Sequence, residues 1–288
     1  MSLAQVQLLT AGHCVHPEHI VLQNWKMGKM RFPAMFAVLE HPREGIVLFD
    51  TGYAPYFMEQ TRKMPGRIYQ WVTPVQIPEN QTAAAHLQAL GIRADDVTTI
   101  VISHFHADHI AGLKDFPRAR FVFAANAWAA VRDRRGMRAL LAGFLPGLLP
   151  SDFEDRSVPI DLNQLRDLPS DMAPFAQGHD LFGDGEVWAI PLPGHAAGQL
   201  GLWIRDGAVH TPLASRARDL FLVADACWTT QSYQQQQYPH AITSLLFSSR
   251  KTYIQTIKDL GHLHEARPDL CIVPSHCEQI LRDLGACK

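Results

Sequence analysis

The chain has 288 residues, 47% of them hydrophobic, with 26 Lys and Arg against 28 Asp and Glu. That length suits one large α/β domain over residues 1–288, and a pI near 6.7 gives no electrostatic reason to expect nucleic acid or an acidic membrane as partner. Five cysteines without framework spacing, no basic n-region ahead of an apolar core in MSLAQVQLLTAGHC, and no run of roughly 18 apolar residues predict a reduced, cytoplasmic chain without a membrane span.

In chain order, His13, Cys14, His16 and His19 match no tight zinc-finger spacing and are expected in a loop near a cleft mouth. NWKMGKMRFPAMF at 24–36 and MPGRIYQWV at 64–72 flank the strand IVLF at 46–49; with Trp25, Met27 and Trp71 they predict a greasy, adaptable wall. QTAAAHLQALGI at 81–92 reads as a helix stopped by Gly91. Buried strands are predicted at TTIVIS (98–103), RFVFA (120–124), VWAIPL (187–192), LGLWI (200–204), LFLVA (220–224) and LCIVP (270–274). Between them, ALLAGFLPGLLP at 139–150 follows the basic VRDRRGMR and reads as a helix and turn packed on the body of the fold, or as an apolar lid. SLLFSSRKTYIQTIKDLG at 244–261 reads as a helix with Gly261 as its stop. Strands mixed with helices give an α/β fold with extensive sheet.

The chemistry follows the strands. TTIVIS leads into His104, VWAIPLPG into His195, LFLVA into Asp225 and LCIVPS into His276. A donor at a strand mouth is held by a rigid element while its side chain reaches an open cleft. In HFHADH, His104 and His106 are two residues apart on an extended segment and can face one ion, whereas Asp108 and His109 turn toward a second. Two ions roughly 3.5–4 Å apart need an acid between them, and Asp225 is the candidate.

HFHADH at 104–109, PGH at 193–195, Asp225, His276 and FDTG at 49–52 together resemble the metallo-β-lactamase superfamily of αββα sandwiches, two mixed sheets flanked by helices. The resemblance implies His104, His106 and His195 on a first metal, Asp108, His109 and His276 on a second, Asp225 bridging both, and Asp50 supporting the site from behind. It is closest to the quorum-quenching N-acyl-homoserine lactonases, which share AGHC at 11–14 and a tyrosine three residues after the bridging aspartate. Here that position is Trp228, whose indole donates a hydrogen bond but is no acid; either the substrate differs or another donor such as Tyr233 takes the role.

The implied reaction is hydrolysis of a lactone or related ester, with an apolar substituent, by a hydroxide held between two divalent ions, zinc first and iron, manganese or cobalt as alternatives. Asp108 and Asp225 are the catalytic carboxylates, with Asp108 or a metal-bound water passing a proton to the leaving alkoxide. The expected partner is a small molecule, and the expected assembly a monomer or homodimer. Competing readings keep the frame and change the bond. Thioester hydrolases of this type carry a helical domain where this chain has only residues 277–288; phosphodiester hydrolases carry basic RNA- or phosphate-binding elements. Iron oxidoreductases either omit the second set of donors or append a flavodoxin domain.

Overall fold

Alternation of apolar side chains along extended segments decides the layers of this protein. The computed structural model describes residues 5–18, 28–205, 208–209, 219–241, 243 and 247–283. Its strands are β1 (Gln5–Pro17), β2 (Lys29–His41), β3 (Gly45–Phe49), β4 (Val75–Gln76), β5 (Val97–Val101), β6 (Arg120–Ala124), β7 (Ser157–Ile160), β8 (Arg166–Asp167), β9 (Gln177–Asp180), β10 (Val187–Pro191), β11 (Leu200–Ile204), β12 (Ala208–Val209), β13 (Asp219–Ala224) and β14 (Leu270–Pro274). Its helices are α1 (Pro55–Gln60), α2 (Gly66–Val72), α3 (Ala83–Ala89), α4 (Ala107–Ile110), α5 (Ala125–Val131), α6 (Gly136–Leu140), α7 (Thr230–Gln234), α8 (Arg250–Ala266) and α9 (Glu278–Asp283).

One sheet runs β12-β1-β2-β3-β5-β6-β7 with β4 on β1, and the other runs β14-β13-β11-β10-β9-β8. Both are mixed: β3, β5, β6 and β7 pair in parallel, as do β13 and β14, while β1–β2–β3 and β9–β10–β11–β13 are antiparallel. Period-two alternation sorts the side chains. In β2, Met35, Ala37 and Leu39 join the core between the sheets, whereas Phe36 and Val38 face the helices. In β13, Leu220, Leu222 and Ala224 point inward and Phe221 and Val223 pack outward toward Tyr253, Ile257 and Leu260 of α8. The result is helix, sheet, sheet, helix.

Two departures from the sequence expectations have clear causes. His13, Cys14 and His16 lie in β1, a strand rather than a loop, whose register shifts between Thr10 and His13 around Gly12 at φ +72°. That bulge interrupts the alternation that marks a strand in sequence; His19 lies outside the described residues. Second, Gly91 does end α3, at φ +78°, but Gly261 sits inside α8, which continues to Ala266. A Cβ on Gly261 would come within 2.9 Å of the Tyr233 carbonyl, so this glycine permits close packing of α7 on α8 instead of stopping a helix. ALLAGFLPGLLP follows the helix-and-turn expectation: it breaks after α6 and packs on the body of the fold through Phe144, Leu145 and Leu148, leaving Leu141 exposed.

Candidate metal centre

The two sheets end at the same edge. Asp50 follows β3, His104 follows β5, His195 follows β10 through Pro193-Gly194, Asp225 follows β13 directly, and His276 follows β14. Ala224 takes φ +47°, in the left-handed region that a side-chain-bearing residue rarely adopts, and the β13–β14 register shifts there. That turn takes Asp225 out of the strand pleat and into the cleft.

Two groups of donors result. His104, His106, His195 and Asp225 offer one donor atom each, all within 4.8 Å of one another; Asp108, His109 and His276 form a second such group. Asp225 faces both. Its Oδ2 lies 3.2 Å from His195 Nε2, and its Oδ1 lies 3.0 Å from His276 Nε2 and 3.4 Å from His109 Nε2. Asp108 Oδ2 sits 3.3 Å from His276 Nε2, and His106 Nδ1 sits 3.0 Å from His195 Nε2.

Surrounding hydrogen bonds aim these rings. His109 Nδ1 donates to Asp50 Oδ2 at 2.7 Å, an oxygen that also accepts from Ser103 Oγ at 2.7 Å, while Asp50 Oδ1 accepts from Ser103 N at 2.8 Å. Since Ser103 Oγ spends its proton on Asp50, it accepts from His104 Nδ1 at 3.0 Å. His276 Nδ1 donates to the Pro33 carbonyl at 2.7 Å. Each bond fixes a tautomer whose Nε2 lone pair points into the centre, the usual arrangement behind a metal-bound histidine. The outcome is unfavourable without a cation: His104 Nε2, His109 Nε2 and Asp225 Oδ1 are buried with no hydrogen-bond partner. The donor set therefore fits divalent ions.

Electrostatics agree. Burial and then the neighbouring His109 and His106 hold His104 well below the ordinary histidine range; burial holds His106 and His195 down as well, leaving three neutral imidazoles. Burial works against the Asp225 anion, but His276, His109 and His195 outweigh it and hold the carboxyl well below its usual range. His109 and His276 go the other way: burial pulls each down, and the carboxylates around them, Asp50, Asp108 and Asp225 for His109, Asp225 and Asp108 for His276, pull each up further.

The expected pocket residues fare differently. Trp228 turns its indole to the centre, with Nε1 donating to Asp225 Oδ2 at 3.3 Å and the ring 6.1 Å from that of His195. Tyr233 faces away, its hydroxyl bonded to the Ile272 carbonyl at 3.2 Å. Trp71 is 64% exposed, on the outer side of α2. Trp25 and Met27 lie outside the described residues. Tyr69, two residues before Trp71, faces inward; burial first, then the charges of Asp108, Cys14 and Asp225, push its phenol well above the ordinary range. Tyr253 of α8 stacks on Phe247 with ring centroids 4.2 Å apart and buries its hydroxyl without a partner. Gly143, at φ +64°, lies so close to His106 that a Cβ there would meet the imidazole at 2.5 Å. The sequence offers no spacing signal for these three, because each reaches the site by tertiary packing.

A family model for the metallo-beta-lactamase superfamily matches residues 32–209. The chain belongs to that superfamily. It is similar to an N-acyl homoserine lactonase (AttM) of Rhizobium radiobacter, 25% identical over 270 residues and covering 92% of each chain. It is also similar to the probable metallo-hydrolase Rv2300c of Mycobacterium tuberculosis, 32% identical over 57% of this chain and 50% of that one. Among solved structures, an N-acyl homoserine lactone hydrolase with its product N-hexanoyl-L-homoserine at the catalytic metal centre superposes with a TM-score of 0.72 at 17% identity, covering 98% and 96% of the two chains. AidC, a dizinc quorum-quenching lactonase, gives 0.63 at 16%, covering 96% and 90%. At those identities the superpositions establish a shared superfamily fold. Among the described residues, no helix is long and apolar enough to cross a membrane.

Proposed function

We propose that this metal-dependent hydrolase, of the lactonase type, opens a lactone or related carboxylic ester carrying an apolar substituent, and that it holds two divalent cations. His104, His106 and His195 would hold the first, Asp108, His109 and His276 the second, with Asp225 between them. The observation that carries the reading is the division of Asp225: one oxygen faces His195 and the other faces His109 and His276. Asp50, Asp108 and Asp225 set three negative charges against the four positive charges of two dications, a balance that favours an anionic nucleophile in the cleft. Imidazole and carboxylate suit zinc first, and iron, manganese or cobalt also accept such donors.

When bound, the cations polarise the substrate carbonyl and lower the pKa of a coordinated water from 15.7 to roughly 7, which makes a nucleophile at neutral pH. The chain supplies orientation and proton handling. Trp228 Nε1–H anchors Asp225, and Asp50 anchors His109. Asp108 keeps 12% of its side chain exposed, against 5% or less for Asp225, His109 and His276, and so is the carboxylate placed to pass a proton to the leaving alkoxide. Tyr69, whose phenol is pushed up by burial first and then by charges that include Asp108 and Asp225, would be a further donor for the substrate oxygen.

The test is a hydrolysis panel on zinc-loaded protein: homoserine lactones of several acyl lengths, aliphatic lactones, aryl esters, thioesters and phosphodiesters. Turnover of lactones or carboxylic esters above the other bonds is expected. Preference for thioesters or phosphodiesters contradicts the reading.

A further inference from the structure

A cavity of about 230 Å³ reaches His106 and His195 from the side of α5 and the segment after α6. Phe105, Val131, Leu141, Ala142, Ala197 and Phe247 form the apolar part of its wall. Among the described residues the one cation on its wall is Arg134, an exposed side chain. The Nε of Arg134 donates to the Ala130 carbonyl at 2.7 Å, which seats the guanidinium beside the C-terminal end of α5 and leaves the N–H groups of Nη1 and Nη2 to face outward from that bond. Among the described residues no carboxylate forms an ion pair with it. The local charge has one sign: Arg132, Arg135 and Arg138 accompany Arg134, with Asp133 as the acid among them, already 3.4 Å from Arg132 Nε.

A wholly apolar substituent would use this wall and leave the guanidinium without a counter-charge. A planar guanidinium fork matches a carboxylate in two parallel N–H···O bonds. The volume is below the roughly 300 Å³ at which drug-sized sites begin, so the arm between the two ends is short. We propose that the substrate carries a carboxylate at the end of a short apolar arm, and that Arg134 selects it. The proposal rests on the ester-hydrolase reading above and narrows its substrate class.

A matched pair of esters tests it: mono-p-nitrophenyl glutarate against p-nitrophenyl valerate, which differ by a terminal carboxylate in place of a methyl group. Zinc-loaded wild-type protein is expected to prefer the glutarate ester in kcat/KM, with the preference shrinking as salt is added. Arg134→Gln should reduce the ratio of the two kcat/KM values about tenfold, and Arg134→Glu should reduce it further. Equal wild-type kcat/KM for the two esters overturns the proposal. So does an equal fall for both esters in Arg134→Gln, because that is what loss of the helix-end bond to Ala130 alone would produce. If neither ester is hydrolysed, the lactone panel above decides the hydrolase reading, and calorimetry with glutarate decides the anion site separately: binding weakened by Arg134→Gln supports it, and binding indifferent to that change, or none, overturns it.

Discussion

Asp50 offers no atom to either donor group, yet His109 depends on it. Its Oδ2 is the acceptor for His109 Nδ1–H, and Ser103 bonds to both of its oxygens. Asp50→Ala is expected to weaken metal affinity about 10- to 100-fold in a chelator competition, because an unanchored imidazole loses both its orientation and part of its basicity. Affinity equal to wild type would show that the buried packing of His109 is enough. Trp228→Phe keeps a ring against His195 and deletes the N–H held by Asp225 Oδ2; kcat/KM for a carboxylic ester should fall about tenfold, and Trp228→Tyr should recover part of it. Identical kinetics for the three proteins would remove the indole from the account. In sequence Trp228 reads as a break in a pattern, since a one-letter code shows a missing phenol. Only packing shows that an N–H stands at the same carboxylate.

At the level of elements, strand ends were legible and the surfaces that support them were not. The strands that lead to His104, His195, Asp225 and His276 are short apolar runs bounded by turn residues, so burial alone announces them. β1 and β2 are longer and were not read as strands, because the bulge near Gly12 and the Met, Lys and Arg of KMRF blur the alternation. On α2, helical geometry sets Tyr69 and Trp71 about 200° apart, so only one of them can face the cleft. The segment after α6 is another support: the Gly143 carbonyl accepts from Ala107 N at 3.0 Å, and Gly143 itself abuts His106. Gly143→Ala must displace that imidazole and strain a left-handed backbone, so the purified variant should hold less metal and lose activity at least about tenfold while keeping its far-ultraviolet dichroism. Full metal content and activity would mean that His106 has room the packing does not reveal.

Across the whole molecule, a third cluster, His41, Asp184 and Glu186, ties the β2–β3 turn to the β9–β10 turn. It has the composition of a metal site, but His41 Nδ1 accepts from Arg43 N and Glu44 N at 3.3 and 3.2 Å. His41 Nε2 stands 3.0 Å from Asp184 Oδ2, so the three side chains join the two turns as an inter-sheet clasp. Burial pushes the Asp184 carboxyl up, but the Glu186 N–H, the Arg43 guanidinium and His41 outweigh it and hold it below the usual range. A carboxyl depressed in the folded state contributes stability that is complete above its unfolded value of 3.8 and is lost as pH falls through the folded value. Asp184→Asn should therefore cost about 0.5–1 kcal/mol at pH 7, discounted for partial exposure, and the gap in Tm should close in acid below pH 4. A gap that persists unchanged at pH 3 would assign the loss to packing.

The proposed reaction makes one demand above the rest, that both donor groups be filled for hydrolysis to run. Metal-free protein titrated with Zn2+ while lactone or ester hydrolysis is followed tests it most directly. Activity should rise until two equivalents are bound and then level off. Full activity at one equivalent, or no hydrolysis with both groups filled, would contradict the dinuclear account.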